Sequence, residues 1–233
     1  MTHTTDVVKV WVIRTDPAPA SAERYVDLLD DTELLHAADF LRERDRLRYL
    51  VAHGARRLIL GRELAAAPES LTFSADATGK PELDGQGRPR TSLAHDGNLA
   101  LLAVTPRRTV GVDVRQLAEG LNPVDMSQTY FLPFEARYVA GGQDLLEQTD
   151  RYARLWTRKE AAAKVAGGVG WANTRAAVLQ RDLVACVEPA TPHRHRVAPV
   201  EVPSGYRGAV ALFGEAGFRV EVVAFEGAEF EEV

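Results

Sequence analysis

Two stretches of helical periodicity, 43–66 and 150–166, stand among short β-rich segments, and this alternation constrains the fold more than any other feature of the chain. In the first, Leu47, Leu50, Val51, Gly54 and Leu58 recur at helical spacing and define a face to be buried. The second stops at the pair Gly167 and Gly168. Strands are expected at 7–14 (VVKVWVIR) and 71–75 (LTFSA). More are expected in the hairpin SLAHDGNLALLAVT, which bends at Asp96 and Gly97, and at 110–115 (VGVDVR). AAVLQ, HRVAPVEV, AVALFG and FRVEVVAFEG supply the later strands, and 124–130 and PFEARYVAGG two shorter helices. Each half therefore holds a long helix and several strands. The expected architecture is α+β, in two lobes that share an interface.

Composition bounds the class. A chain of 233 residues can bury a core without a disulfide or a structural metal. The single Cys186 excludes a disulfide framework and fits a reducing, cytoplasmic compartment. No apolar run approaches the roughly 20 residues that span a bilayer, and MTHTTDVVKV lacks the features of a signal peptide. A cytoplasmic protein with no membrane partner is expected. The formal charge of −5 argues against nucleic acid as the main partner. Charge is concentrated, however: residues 42–58 hold six arginines against two acids. On a helical wheel Arg44 and Arg48 border the apolar face, whereas Arg42, Arg46 and Arg57 point elsewhere. Border arginines either lie over the core or reach a bound anion.

Two segments carry candidate chemistry. In VGVDVR, period-two geometry sends Val110, Val112 and Val114 to one face and Gly111, Asp113 and Arg115 to the other. Asp113 reads either as a solvent-facing edge residue or as a functional acid, and its β-branched neighbours favour a central strand. In LWTRKEAAAK, Trp156, Glu160 and Lys164 follow one another at four-residue spacing and share one helix stripe. An i, i+4 surface ion pair explains Glu160 and Lys164 as economically as a site does, and Trp156 as core is the ordinary reading. GKP at 79–81 is not a phosphate loop of the Walker type, and GGVGW lacks the setting of a dinucleotide fingerprint. His193 and His195 have no third metal ligand nearby and read as a polar loop.

Taken together, GVDV at 111–114, WTRKEAAAK at 156–164, GKP followed by SLAHDG, and the RDRxRY helix near residue 44 resemble, in order and spacing, one family. It is the surfactin-synthetase-activating type of 4′-phosphopantetheinyl transferases, and the resemblance covers roughly residues 7–215. It implies two pseudo-two-fold-related lobes, each a small antiparallel sheet packed with a long helix. The N-terminal lobe, 1–109, would bind coenzyme A, and the C-terminal lobe, 110–233, would carry the metal and the catalytic helix. A monomer is expected.

The implied reaction moves the phosphopantetheine arm of coenzyme A onto a serine of an apo acyl or peptidyl carrier protein and releases 3′,5′-ADP. It requires Mg²⁺, with Mn²⁺ as a substitute ion. The resemblance assigns Asp113, Glu160 and Lys164 as catalytic, with Glu160 as general base and Lys164 balancing pyrophosphate charge. His95, Lys80, Arg44, Arg48 and Lys164 would contact coenzyme A. Many members carry a second acid two residues after the strand aspartate, where this chain has Arg115. Asp96, directly after His95, is expected to replace it, giving Asp113, Glu160 and Asp96 as metal ligands. Carrier docking is expected near 116–138, with Leu121, Met126 and Phe131 as apolar candidates. Two other readings stay open: a weakened relative that holds coenzyme A or a carrier without turnover, and an unrelated nucleotide-binding protein.

Overall fold

The computed structural model describes residues 6–16, 19–75, 79–117, 120, 122–167, 176–185 and 194–226. In chain order the elements are β1 (Asp6–Arg14), α1 (Pro19–Glu23), α2 (Asp31–Ala38), α3 (Glu43–Leu64), β2 (Phe73–Ala75), β3 (Pro81–Leu83), β4 (Arg90–Asp96), β5 (Leu99–Thr105) and β6 (Val110–Gln116). They continue with α4 (Pro123–Tyr130), α5 (Pro133–Ala140), α6 (Leu145–Ala166), β7 (Leu183–Ala185), β8 (Arg194–Val200), β9 (Tyr206–Phe213) and β10 (Phe218–Phe225).

Strand alternation builds the layers. One four-stranded sheet runs β10-β1-β5-β4 and another β6-β9-β8-β7. Val8 and Val10 of β1, Leu99 and Leu101 of β5, and Val110, Val112 and Val114 of β6 meet Val210 and Leu212 of β9 between the two sheets. The alternate residues face outward: Ile13, Ala100 and Leu102 pack with Leu50, Ile59 and Leu60 of α3. On the other side Val197, Ala209 and Ala211 pack with Leu155, Ala161 and Val165 of α6. The result is helix, sheet, sheet, helix, an α+β architecture in which each long helix covers one sheet.

Several sequence expectations change. The sheet covered by α6 is antiparallel throughout, but the other carries a parallel pair, because β10 lies beside β1. The C-terminal strand therefore completes the sheet of the N-terminal half. AAVLQ is not a strand; the backbone N–H groups of Val178 and Leu179 donate to the buried Glu135 carboxylate at 2.8 and 3.1 Å instead of to a neighbouring strand. α6 starts at Leu145, earlier than the periodicity indicates, because the Asp144 side chain caps the N–H of Glu147 at 2.8 Å. Gly167 ends it in the left-handed conformation at φ +79. Arg57, which the helical wheel turns away from the border of the apolar face, is fully buried and bonds Glu33, Asp30 and the Leu71 carbonyl. Leu58, conversely, is only half-buried. His195 is buried in β8, not part of a polar loop. Cys186, His193, Leu121 and Gly168 lie outside the described residues. No described helix is long and apolar enough to cross a membrane.

Candidate functional site

β6 is the last strand of its sheet, and β4 is the last strand of the other. Among the described residues, β6 has no strand partner on its outer side, where side chains take up backbone groups instead. Ser92 Oγ accepts from the Val112 N–H at 3.1 Å, and an Asp96 carboxylate oxygen accepts from the Gln116 N–H at 2.8 Å. Lys80 Nζ donates to the Val110 carbonyl at 2.8 Å and Lys164 Nζ to the Val112 carbonyl at 2.9 Å. An edge strand protected in this way places Asp113 next to three other sequence-predicted residues. Asp113 is thus on an edge by hydrogen bonding, yet only 9% exposed.

Gly111 makes the approach of β6 to α6 feasible. A Cβ at this position would collide with the Ala161 carbonyl oxygen and stand 2.9 Å from Lys164 Cβ. With the strand this close, Lys164 Nζ reaches Asp113 Oδ1 at 2.9 Å. Burial pushes the Asp113 carboxyl above its ordinary value, against the opposing pull of Lys164 and Arg115. Glu160, one turn back on the helix, is half-buried and has no hydrogen-bond partner among the described residues. Its pKa is raised too, first by desolvation and then by the negative charge of Asp113. Two carboxylates from different elements therefore stand close enough for the charge of Asp113 to disfavour ionisation of Glu160.

Arg115 extends the same face of β6. Its Nε stands 3.7 Å from Asp96 Oδ2, and its guanidinium lies 5.8 Å from the Trp156 ring centre. Trp156 packs in a cluster with Tyr130, Phe131 and Tyr152, so it supports the helix stripe from one end. Phe131, expected at a docking surface, is buried in this cluster and stacks on Tyr152 at 5.2 Å. Met126 is half-buried against the same core. Lys159, off the stripe, is buried behind the helix, 2.7 Å from Glu135 Oε2 and 2.5 Å from the Ala176 carbonyl.

A cavity of about 250 Å³ opens beside these groups, between α6 and α3. His53 and Arg56 line it from α3, Lys80 and Pro81 from β3 and the residue before it, Ser92, Leu93 and His95 from β4, and Lys164 from α6. The pKa of His95 is lowered, first by desolvation and then by Lys164, with Arg48 and His36 adding to it against Asp96. Lys80 also pairs with Glu82 at 3.0 Å. Arg48 is bonded to Asp45 at 3.2 Å and to Asn98, and Arg44 is exposed; neither lines the cavity. Among the described residues no group of three His, Cys, Asp or Glu side chains is arranged to hold a metal ion.

Known proteins resemble the chain across most of this framework. A Synechocystis sp. protein, with a 4′-phosphopantetheinyl transferase name that is itself provisional, is 29% identical over 161 residues, 68% of this chain and 64% of its own length. The 4′-phosphopantetheinyl transferase HetI of Nostoc sp. is 30% identical over 171 residues, 72% of this chain and 71% of that protein. The chain belongs to the 4′-phosphopantetheinyl transferases. A Bacillus subtilis protein of the same name is 26% identical over 129 residues, 55% of either chain. The match thus spans less than two thirds of the Synechocystis and Bacillus proteins. No family model matches.

Sequence reading missed His53, Arg56 and Ser92. HGARRL within α3 carries a usable signal, since two arginines on a face that is otherwise apolar require buried partners. Those partners, Asp30 and Glu33, come from the N-cap and first turn of the short helix before it, whose contact with α3 is a tertiary fact that periodicity does not carry.

Proposed function

We propose that the chain transfers the 4′-phosphopantetheine arm of coenzyme A to a serine of an apo acyl or peptidyl carrier protein, releasing 3′,5′-ADP. The observation that carries this reading is the meeting of Asp113 with Lys164, and of the Asp113 charge with Glu160 one turn back on the same helix, where Lys164 also lines a cavity together with Arg56 and Lys80. Family membership supports it, as does the twofold occurrence of a four-stranded sheet covered by one long helix; we divide the chain into two lobes near residues 109 and 110, with β10 crossing over to complete the first sheet. We assign the chain to the surfactin-synthetase-activating type on its GVDV and WTRKEAAAK segments.

Glu160 is the general base. A half-buried carboxyl with a raised pKa and no hydrogen-bond partner among the described residues is suited to take the proton of the serine hydroxyl as its oxygen attacks phosphorus. Lys164 neutralises charge that grows on the departing ADP phosphate as the pyrophosphate bond breaks. His95 and Lys80 hold the coenzyme phosphates from the cavity wall, and Arg48 and the exposed Arg44, which do not line it, add longer-range attraction.

The donor set fits a hard divalent ion. Asp113 and Glu160 bring two carboxylates whose mutual repulsion a cation would relieve, and Mg²⁺ is commonly held by one or two carboxylates together with substrate phosphates. Asp96 is the proposed third donor, although among the described residues it is not grouped with Asp113 and Glu160 as a ready-made metal site; its Oδ2 is committed to Gln116 and Arg115, while Oδ1 has no partner among the described residues. When bound, Mg²⁺ or Mn²⁺ supplies charge neutralisation on the pyrophosphate oxygens.

A holding role without turnover is favoured by one observation, the Arg115 cation paired with Asp96 where a further acid would strengthen metal binding. Thermal unfolding with and without coenzyme A, paired with transfer assays on wild type and Glu160→Gln, separates the two. The transferase reading expects coenzyme A to stabilise both proteins and only wild type to modify the carrier. Stabilisation of both without modification by either supports the holding role.

A further inference from the structure

The wall that α3 contributes to the cavity carries a group the transfer chemistry leaves unused. His53 stacks on Tyr49 with 3.8 Å between ring centroids and 23° between planes, and its Nδ1 lies 3.0 Å from Glu33 Oε1. Glu33 is itself fixed. Arg56 donates to the same oxygen at 2.5 Å, and Arg57 Nε and the Asp30 N–H donate to Oε2 at 2.7 and 3.2 Å. Burial would raise the Glu33 carboxyl, but His53, Arg56 and Arg57 together hold it at about 2. An ionised carboxylate can only accept, so the proton of the imidazole sits on Nδ1 and the lone pair on Nε2. Desolvation, with the help of Arg56, pushes His53 down to about 4 and keeps the ring neutral. Nε2 has no partner among the described residues, on a side chain that is 14% exposed and lines the cavity.

A fixed acceptor among Lys80, His95 and Lys164 is out of place in a pocket for phosphates alone, because its lone pair repels an anion. It calls for a ligand group that donates and cannot accept. The pantetheine end of coenzyme A has to reach Asp113 and Glu160 beside α6, which leaves the α3 end of the cavity to the nucleoside. There Pro81 and Leu93 add apolar wall suited to a ring. Ribose hydroxyls can donate or accept, and ring nitrogens of adenine accept; the exocyclic amino group donates.

We propose that His53 is a specificity-determining residue of the coenzyme site, accepting a hydrogen bond at Nε2 from the exocyclic amino group of the adenine ring. Glu33 acts through it as a positioning residue by fixing its tautomer. This rests on the coenzyme A reading above and adds to it a basis for selecting the base.

The test compares coenzyme A with its hypoxanthine analogue, in which an oxygen acceptor replaces the amino group. By calorimetry, wild-type protein is expected to bind the analogue about tenfold more weakly or worse, since two acceptors would then face each other in a partly desolvated wall. In His53→Leu, the preference is expected to fall to about twofold or less, through a loss of coenzyme A affinity and not a gain for the analogue. Equal affinity of the wild type for both compounds overturns the assignment to His53 while leaving the transferase reading intact, and needs no variant to fold. A preference that survives in His53→Leu overturns it as well. Absence of coenzyme A binding to wild type defeats the underlying reading instead.

Discussion

Lys164 Nζ lies 2.9 Å from Asp113 Oδ1 because Gly111, two residues before the aspartate, lets the strand sit directly on the helix that carries the lysine. Strand and helix meet at a residue with no side chain, and the acid and amine meet one step further on. Gly111→Ala should therefore cost about 1–3 kcal/mol of stability by overpacking and move Asp113 away from Lys164. Urea denaturation checks the first effect and transfer to a carrier the second. An unaltered midpoint with full activity would mean that the close approach is not needed.

Glu160→Gln is expected to lower kcat by about 10²- to 10⁴-fold, the usual worth of a general base. It should also stabilise the fold at neutral pH. The sign follows from the raised pKa: the fold disfavours the ionised carboxyl, so a penalty is fully present above the folded value and vanishes below the unfolded one. Thermal midpoints of wild type and variant should converge as pH falls through that window. In wild type, activity should decline over the same descent.

Acid should attack the N-terminal half through Glu33 and His53. Glu33 is held at about 2 against an ordinary 4.5, so its contribution of about 3 kcal/mol is present above 4.5 and is lost as pH falls toward 2. His53, pushed down to about 4 from 6.5, loses its share between those values, in the same direction. Glu33→Gln should accordingly be less stable than wild type at pH 7 and show a flatter pH dependence below 5, measured by urea midpoints. A variant as stable as wild type at pH 7 contradicts this.

Lys159→Met leaves the Glu135 carboxylate buried without its counter-ion, which should cost about 3–5 kcal/mol. The Val178 and Leu179 N–H groups bonded to that carboxylate should lose hydrogen-exchange protection in the same variant. Retained protection would mean that the pair does not order this segment.

Asp96→Ala should raise the Mg²⁺ concentration needed for half-maximal transfer about tenfold, roughly 1.4 kcal/mol of binding. Mn²⁺ titration in the presence of coenzyme A provides the same reading without turnover. An unchanged requirement removes Asp96 from the ligand set and leaves Asp113 and Glu160 alone.

Much of the framework was legible because it rests on local periodicity. The faces of VGVDVR came out as the alternation indicates, with Val110, Val112 and Val114 inward and Gly111, Asp113 and Arg115 toward α6. The stripe of Trp156, Glu160 and Lys164 likewise follows from four-residue spacing. What periodicity cannot carry is the partner across the fold. β10 crosses to pair with β1, and Val178 and Leu179 bond a side chain and not a strand. Lys159 and Phe131 show the same limit: the lysine sits beside the stripe of Trp156, Glu160 and Lys164 and the phenylalanine in an expected surface, and both are buried by contacts distant in sequence.

The most direct measurement is the intact mass of an apo carrier protein after incubation with this chain, coenzyme A and Mg²⁺. The account predicts a gain equal to one phosphopantetheine arm, confined to the carrier's serine and absent with Glu160→Gln. A carrier of unchanged mass, in the presence of folded protein that binds coenzyme A, would contradict it.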